Sequence, residues 1–178
     1  MSRRYVALLR GINVGTAKRV AMADLRAVVE GLGFREVKTL LNSGNVVFTG
    51  EEARPADVAA AIEQAVFEAT GVTSKTIALS DVEFKQVVKE NTLADSPEPP
   101  RLLVMFLVNP EVRRDLAALA KDDWSPEKLA VGARAAYFWC PNGILESNVV
   151  KTAGKVVGAD MTTRNWATVQ KIMALLAK

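Results

Sequence analysis

The chain is organised around Tyr5-Val6-Ala7-Leu8-Leu9-Arg10-Gly11-Ile12-Asn13-Val14-Gly15, where a short apolar run passes directly into a polar loop bracketed by glycines. The five apolar residues lie between Arg4 and Arg10 and carry no helical period, so they predict a buried strand. The loop then begins where that strand leaves the sheet. We therefore expect Arg10 and Asn13 to lie on the rim of a β-sheet.

The pattern beyond this strand predicts one complete α/β unit. Apolar residues recur at helical spacing from Met22 to Leu32, and Pro55 and Gly71 are placed as the start and stop of a second helix. Between these helices, residues 34–48 predict a hairpin, and residues 73–79 predict a fourth strand. The resulting order βαββαβ usually forms a four-stranded antiparallel sheet with both helices on one face, the ferredoxin-like plait.

The second half of the chain repeats this order. Residues 91–100 carry three prolines and no apolar period, which predicts a linker. A strand over 102–108 is followed by a helix begun at Asn109-Pro110-Glu111, a hairpin turned at 132–134, a helix capped by Ser147 and a short strand near Met161. One further helix ends each half, the first begun by the capping box Ser80-Asp81-Val82-Glu83. We predict an α+β protein of two tandem ferredoxin-like halves, each followed by an extra helix, with domains at 1–96 and 97–178.

The composition excludes several classes of protein. The chain has 178 residues, 49% hydrophobic and 24% charged, which is typical of a globular protein. No histidine is present, so Ser-His, Cys-His and His-ligated metal chemistry are excluded. Cys140 is the single cysteine and suits a reducing compartment. No apolar run approaches the roughly 20 residues of a membrane span, so we expect a cytoplasmic protein without cofactor or metal.

Positive charge is concentrated at the two ends of the sequence. The first 40 residues hold eight Lys and Arg against three Asp and Glu, and the last 78 hold eleven against seven. A mild basic excess of this kind favours an anionic ligand, although solvated basic helix faces would give the same pattern. The glycine spacing fits neither a P-loop nor the GxGxxG nucleotide motif.

Two polar loops are predicted to meet at one end of the first plait. The loop after the first strand and the hairpin turn Asn42-Ser43-Gly44-Asn45 leave the sheet at the same end in this topology. Their side chains would form one cluster of hydrogen-bond donors and acceptors: Arg10, Asn13, Asn42, Ser43 and Asn45. Such a cluster lacks a general base and suits binding more than catalysis. The alternative is ordinary turn chemistry, in which the asparagines cap backbone groups.

A second anion-site candidate lies near the end of the chain. Thr162-Thr163-Arg164-Asn165-Trp166 is predicted to begin a helix, with a threonine as its cap. Arg164 and Asn165 would then lie at the positive end of the helix dipole, where an arginine is unfavourable unless an anion or carboxylate is present. In the alternative interpretation, Arg164 pairs with an acidic side chain and Trp166 belongs to the core.

Three segments together resemble a known bacterial family, domain of unknown function 1697. These segments are Arg10–Gly15, Asn42–Phe48 and Thr162–Trp166, and their order and spacing match over nearly the whole chain. The resemblance implies two α/β-plait halves in one chain and implies no particular reaction. The sequence departs from the family pattern at Thr16, at Asn42 and at Asn148, where glycine, glutamine and lysine are common.

Three functional hypotheses follow. We expect a cytoplasmic protein that binds a small anionic ligand, nucleotide or nucleic-acid backbone at the polar loops. The alternative is a structural or protein-interaction module without a ligand, which meets a partner or forms a homodimer. The third is an enzyme that uses only carboxylates or lysine, but neither polar loop carries the paired carboxylates that such an enzyme would need.

Overall fold

Eight strands form two four-stranded antiparallel sheets, and six helices accompany them, in a computed structural model that describes all residues from Met1 to Lys178. The residues group into two compact units, one of residues 1–84 and 174–178 and the other of residues 85–173. Each unit contains one sheet. The predicted α+β class is confirmed.

The first sheet is built around the strand that the opening sequence predicts. β1 pairs antiparallel with β3 and with β4, so that Val6 lies opposite Val47 on one side and Leu79 on the other. Residues Tyr5–Leu9 are fully buried, which confirms the predicted buried strand. The strand order is β2-β3-β1-β4. The elements are β1 (Ser2–Leu9), α1 (Met22–Gly31), β2 (Arg35–Leu40), β3 (Asn45–Glu51), α2 (Pro55–Thr70), β4 (Thr76–Ser80) and α3 (Asp81–Lys89).

Helices α1 and α2 contribute apolar side chains to one core together with β1 and β3. An aromatic group lies within it, with the Phe34 and Phe48 rings 4.6 Å apart and Tyr5 beside both. Gly50 makes this packing possible, because a Cβ there would lie 2.4 Å from a ring atom of Phe34. The buried members include Tyr5, Ala7, Leu9, Ile12, Leu25, Val29, Phe48, Val58, Ile62 and Val66.

The second unit repeats the strand order of the first, as β6-β7-β5-β8. β5 is central, and all six of its residues are buried, as the unbroken apolar run predicts. Two short 3₁₀ turns precede β5 and α4. The elements after residue 101 are β5 (Leu102–Leu107), α4 (Arg113–Leu119), β6 (Lys128–Val131), β7 (Ala135–Trp139), α5 (Asn148–Val157), β8 (Met161–Asn165) and α6 (Trp166–Leu176). The second unit also includes α3 from Lys85 onward, and the last residues of α6, from Ala174, belong to the first unit.

Several predicted helix signals are confirmed by their hydrogen bonds. The capping box is present, because the Glu83 N–H donates to Ser80 Oγ and the Ser80 N–H donates to Glu83 Oε2. Ser147 Oγ accepts from the Val150 N–H at the start of α5. Pro55 begins α2, and Gly71 ends it with a left-handed φ of 74°.

Candidate functional site

The polar loop after β1 folds into a small finger, residues 13–18. The Asn13 N–H donates to the Lys18 carbonyl over 2.9 Å, and Val14 and Ala17 form a bridge across the finger. Gly15 at its tip has φ 62°, and Asn13 and Lys18 at its base have φ 56° and 51°. Asparagine tolerates this left-handed conformation better than most residues with a Cβ. Val14 is 71% exposed.

The Asn13 side chain closes the base of the finger. Its Nδ2 donates to the Val20 carbonyl over 2.8 Å and its Oδ1 accepts from the Val20 N–H over 2.8 Å. The second Nδ2 hydrogen donates to the Asn42 carbonyl, again over 2.8 Å. Both donors of the amide are therefore used by the protein itself. Asn13 holds the finger in place and ties it to the β2-β3 turn.

The β2-β3 turn meets the finger, as the predicted topology requires. The Leu9 N–H donates to the Gly44 carbonyl over 2.9 Å, in addition to the bond from Asn13. Gly44 has φ 87°, and a Cβ there would lie 2.9 Å from Ile12 Cδ1 and 2.9 Å from Leu9 Cβ. Only glycine fits this contact without displacement. The two loops therefore form one continuous surface at this end of the sheet.

Asn45 belongs to β3 and is buried, although the sequence predicts it in the turn. Its Nδ2 donates to the Leu40 carbonyl over 2.8 Å and to Ser43 Oγ over 3.0 Å. The turn itself spans residues 41–44, and Leu41 carries the left-handed φ of 59°. Asn42 and Ser43 are exposed. Asn45 therefore shapes the turn from inside, while Asn42 presents its side chain to solvent.

Arg10 is fixed through its backbone. Its N–H donates to the Lys75 carbonyl over 2.9 Å, and its carbonyl accepts from Ser74 Oγ over 2.8 Å. Ser74 is buried, and its role was not predicted from the sequence. No sequence signal marks Ser74, because its partner lies 64 residues away and meets it only when β1 and β4 pair. The Arg10 side chain is half-buried.

A groove of about 550 Å³ lies beside the finger at the start of α1. Of the five residues predicted for the polar cluster in this unit, Asn13 and Asn42 line the groove, whereas Arg10, Ser43 and Asn45 do not. The contribution of Met22 and Asp24 from α1 was not predicted from the sequence. The residues lining the groove are Asn13, Arg19, Val20, Ala21, Met22, Asp24 and Asn42.

The first turn of α1, which borders the groove, has unused backbone donors. Ala21 is the N-cap of α1 and has no side chain that can cap the helix. The Leu25 N–H donates to the Ala21 carbonyl, whereas the N–H groups of Met22, Ala23 and Asp24 have no acceptor in the protein. The missing Ser, Thr, Asp or Asn before Met22 is the sequence signal that could have revealed this feature.

The charges around the groove are mixed, with an excess of positive charge. Arg19 is exposed, and its Nη1 donates to the Gly15 carbonyl over 3.1 Å, which holds its stem along the finger. Lys18 is exposed and its ammonium makes no hydrogen bond or ion pair. Asp24, in the first turn of α1, supplies the one carboxylate in the lining. The positive charges of Lys18 and Arg19 and the positive end of the α1 dipole therefore outweigh the single negative charge of Asp24.

The second candidate segment, Thr162–Trp166, is a strand for most of its length, and the predicted helix start at a threonine is wrong. Arg164 lies in β8 opposite Val104, and α6 begins at Trp166. The helix cap is Asn165, whose Oδ1 accepts from the Thr168 N–H over 2.9 Å. Asn165 is therefore committed to capping. Both residues belong to the second unit, whereas the finger and the groove belong to the first.

Arg164 is buried, and two of its hydrogen bonds stay within its own strand. Its Nη1 donates to Thr162 Oγ1 and to the Thr163 carbonyl, each over 2.8 Å. Burial lowers the pKa of Arg164 to about 10. Trp166 is buried, as the core interpretation of this segment requires. These contacts assign Arg164 and Asn165 structural roles within the second unit.

Metal clusters, the single cysteine and the lengths of the helices give three further findings. No cluster of three or more Cys, Asp or Glu side chains is arranged to hold a metal ion. Cys140 is buried, and burial raises the pKa of its thiol, which favours the unreactive protonated form. None of the six helices has the length and apolar character that crossing a membrane demands.

Comparison with known proteins gives a family and a structural relative. The chain is similar to a solved structure described as a conserved bacterial protein, SP0830, from Streptococcus pneumoniae, with 26% identity, a TM-score of 0.81 and 99% of each chain covered. A search of curated proteins finds no match. The model of one family, described as protein of unknown function (DUF1697), matches residues 1–137. The chain therefore belongs to the DUF1697 family.

Proposed function

We propose that the first unit binds a small anionic ligand, a nucleotide or a nucleic-acid backbone in the groove between the finger and the start of α1. The observation that carries this proposal is the open first turn of α1, where three backbone N–H groups lack acceptors. Residues of that turn line a groove of about 550 Å³, a volume typical of small-molecule sites.

An anion would accept hydrogen bonds from the backbone N–H groups of this turn that lack acceptors. Backbone N–H groups at the start of a helix bind phosphate and carboxylate well, because the donors converge and the helix dipole is positive there. Arg19 lines the same groove, and Lys18 is its neighbour in the chain. Asp24 opposes such a ligand with a single negative charge. The balance favours an anion that accepts several hydrogen bonds, as a phosphate does.

The predicted cluster then divides into supporting and contacting residues. Asn13 and Asn45 use their amide donors on backbone carbonyls and support the surface. Asn42 lines the groove, and its exposed side-chain amide makes no hydrogen bond to the protein, so it is the asparagine available to a ligand. Arg10 and Ser43 stay in the proposal as neighbours of the groove. Arg164 and Asn165 are not needed for it.

The test is a thermal-shift panel of nucleotides, phosphates and short RNA on the wild type and on K18A/R19A. We expect at least one anion to stabilise the wild type and the double variant to lose that effect. The matched control is R26A/R35A, which removes two exposed arginines of the same unit away from the groove. For RNA, the affinity should also fall steeply with salt. A wild type that no anion stabilises would reject the proposal.

A second candidate function is an interaction module without a ligand. Two observations favour it: the Asn13 amide is consumed by folding, and the loop surface exposes apolar side chains, with Val14 71% and Leu41 48% exposed. In that case, a partner or a second copy would cover the loops. Light scattering that shows a dimer, and a monomer for V14S/L41S, would favour this function over the first.

We also propose that the fold is a tandem duplication of the ferredoxin-like plait, with domains at 1–96 and 97–178 and an extra helix after each. The matching strand orders β2-β3-β1-β4 and β6-β7-β5-β8 support the proposal, as does the placing of a helix after the first and third strand of each sheet. Superposition of an experimental structure of each half on the other would test it. The cytoplasmic location stays a prediction from the sequence.

A further inference from the structure

We propose a second, independent anion site in the other unit, which takes an organic phosphate. The site is an open surface cavity of about 560 Å³ between the start of α4 and the β6-β7 turn. Arg113 and Arg114 line it on the α4 side, and Gly132 and Ala133 line it on the turn. This inference does not depend on the function proposed for the first unit.

Arg113 and Arg114 are the groups that would hold the phosphate. They are consecutive and exposed, and their guanidinium groups make no hydrogen bond or ion pair with the chain. Leu116 of the same helix is fully buried and anchors α4 in the core of the unit. The two guanidinium groups therefore extend from a fixed helix. Arginine pairs with phosphate oxygens through two parallel hydrogen bonds, which makes phosphate the best-matched anion.

Glu90 is the only carboxylate in the lining, and each of its oxygens already accepts a hydrogen bond. Its Oε2 accepts from the Ala133 N–H over 3.0 Å, and its Oε1 accepts from Gln86 Nε2 over 3.0 Å. These bonds lower the pKa of Glu90, and the charges of Arg113 and Arg134 lower it further. Glu90 therefore stays ionised while it fastens the turn, and it does not form an ion pair with either lining arginine.

The β6-β7 turn packs closely against the Glu90 carboxylate. A Cβ at Gly132 would lie 2.7 Å from Glu90 Oε2 and 3.2 Å from the Tyr137 hydroxyl oxygen. Tyr137 in turn donates to the Val87 carbonyl over 2.5 Å. The wall of the cavity that faces the arginines is therefore held in one position, a condition that lowers the entropic cost of binding.

The charge and size of the cavity select the ligand class. Two arginines, Arg113 and Arg114, line the cavity against the single carboxylate of Glu90, so the lining carries a net positive charge that favours an anion. Val131 and Ala117 supply apolar surface in the same cavity. A cavity of 560 Å³ is much larger than a phosphate group and suits a phosphate that carries an organic substituent.

The test is isothermal titration of the full chain with phenyl phosphate and with inorganic phosphate. We expect phenyl phosphate to bind the wild type more tightly than inorganic phosphate, and R113A/R114A to bind it at least about tenfold more weakly. E90Q, which removes the opposing charge and keeps an acceptor for Ala133, should bind about threefold more tightly. Circular dichroism checks that each variant is folded.

Matched variants separate this site from the first. The proposal is supported when R113A/R114A loses binding while R26A/R35A and K18A/R19A retain it. Loss in K18A/R19A alone would assign the phosphate to the groove of the first unit and overturn this second site. An equal loss of phenyl phosphate binding in R26A/R35A would reveal a general charge effect and overturn the proposal. A wild type without measurable binding would overturn it as well. Weaker binding by E90Q would contradict the charge argument directly.

Discussion

Replacing Asn13 by alanine should destabilise the first unit by about 2–3 kcal/mol. The substitution removes three hydrogen bonds of 2.8 Å, two to Val20 and one to the Asn42 carbonyl. Each such bond contributes about 1 kcal/mol net, and partial exposure lets water compensate part of the loss. Alanine at φ 56° adds about 1 kcal/mol of backbone strain, because the left-handed region is unfavourable for it.

Urea denaturation followed by far-UV circular dichroism measures this change. N13G separates its two causes, since glycine loses the hydrogen bonds but tolerates the left-handed backbone and should be about 1 kcal/mol more stable than N13A. N13D keeps the acceptor but places a carboxylate against two carbonyl oxygens, so it should be at least as unstable as N13A. If N13A costs less than about 0.5 kcal/mol, Asn13 does not fasten the finger and the assignment of its amide to folding is wrong.

Three further predictions test the packing and the buried groups. G44A should lower the free energy of unfolding by about 2 kcal/mol, because its Cβ would lie 2.9 Å from Ile12 Cδ1 and its φ is 87°; urea denaturation measures the loss, and an unchanged midpoint would contradict the tight contact. G50A should be destabilised because its Cβ would displace the Phe34 ring, and adding F34L to the same chain should restore part of the lost stability. A double-mutant cycle that shows no coupling between the two substitutions would count against that contact. Burial raises the pKa of the Tyr137 hydroxyl above its ordinary value of 10.0. Above pH 10 the hydroxyl therefore ionises in the unfolded chain before it ionises in the folded chain, so the free energy of unfolding should fall as the pH rises further. Y137F should be about 1 kcal/mol less stable than the wild type at pH 7, because the Val87 carbonyl loses its donor, and parallel pH profiles of the two proteins above pH 10 would contradict the pKa shift.

The main elements were predictable because their signals are local. Tyr5–Leu9 is a run of apolar residues without helical period, and only a buried strand accommodates it. The capping box at Ser80 and the proline and glycine that bound α2 act within a few residues of one another. Such short-range chemistry is visible in the sequence before any tertiary contact forms.

The start of α6 was not predictable in the same way. Thr162, Thr163 and Asn165 are all good caps, and the sequence does not distinguish among them. Pairing of β8 with β5 decides the matter, because it extends the chain as far as Asn165 and leaves that residue to cap the helix. The partner strand lies about 60 residues away, so local propensity cannot reveal the boundary.

The candidate site was predictable in position more than in detail. The order of strands brings the first loop and the β2-β3 turn together, and both Asn13 and Asn42 line the groove. The use of the Asn13 amide by carbonyls 7 and 29 residues away is a consequence of tertiary structure. The open first turn of α1 results from the lack of a capping residue before Met22. A missing residue forms no motif, so this feature is easily overlooked in the sequence.

The most direct test of the anion site is a ¹⁵N NMR titration of the full chain with pyrophosphate, followed at the amides of Met22, Ala23 and Asp24. If these N–H groups bind the anion, their signals should shift together and saturate with one dissociation constant, and K18A/R19A should weaken that constant about tenfold or more. The matched variant R26A/R35A should leave it nearly unchanged. If the three amide signals stay in place throughout the titration, the groove at the start of α1 does not bind anions and the proposed function is wrong.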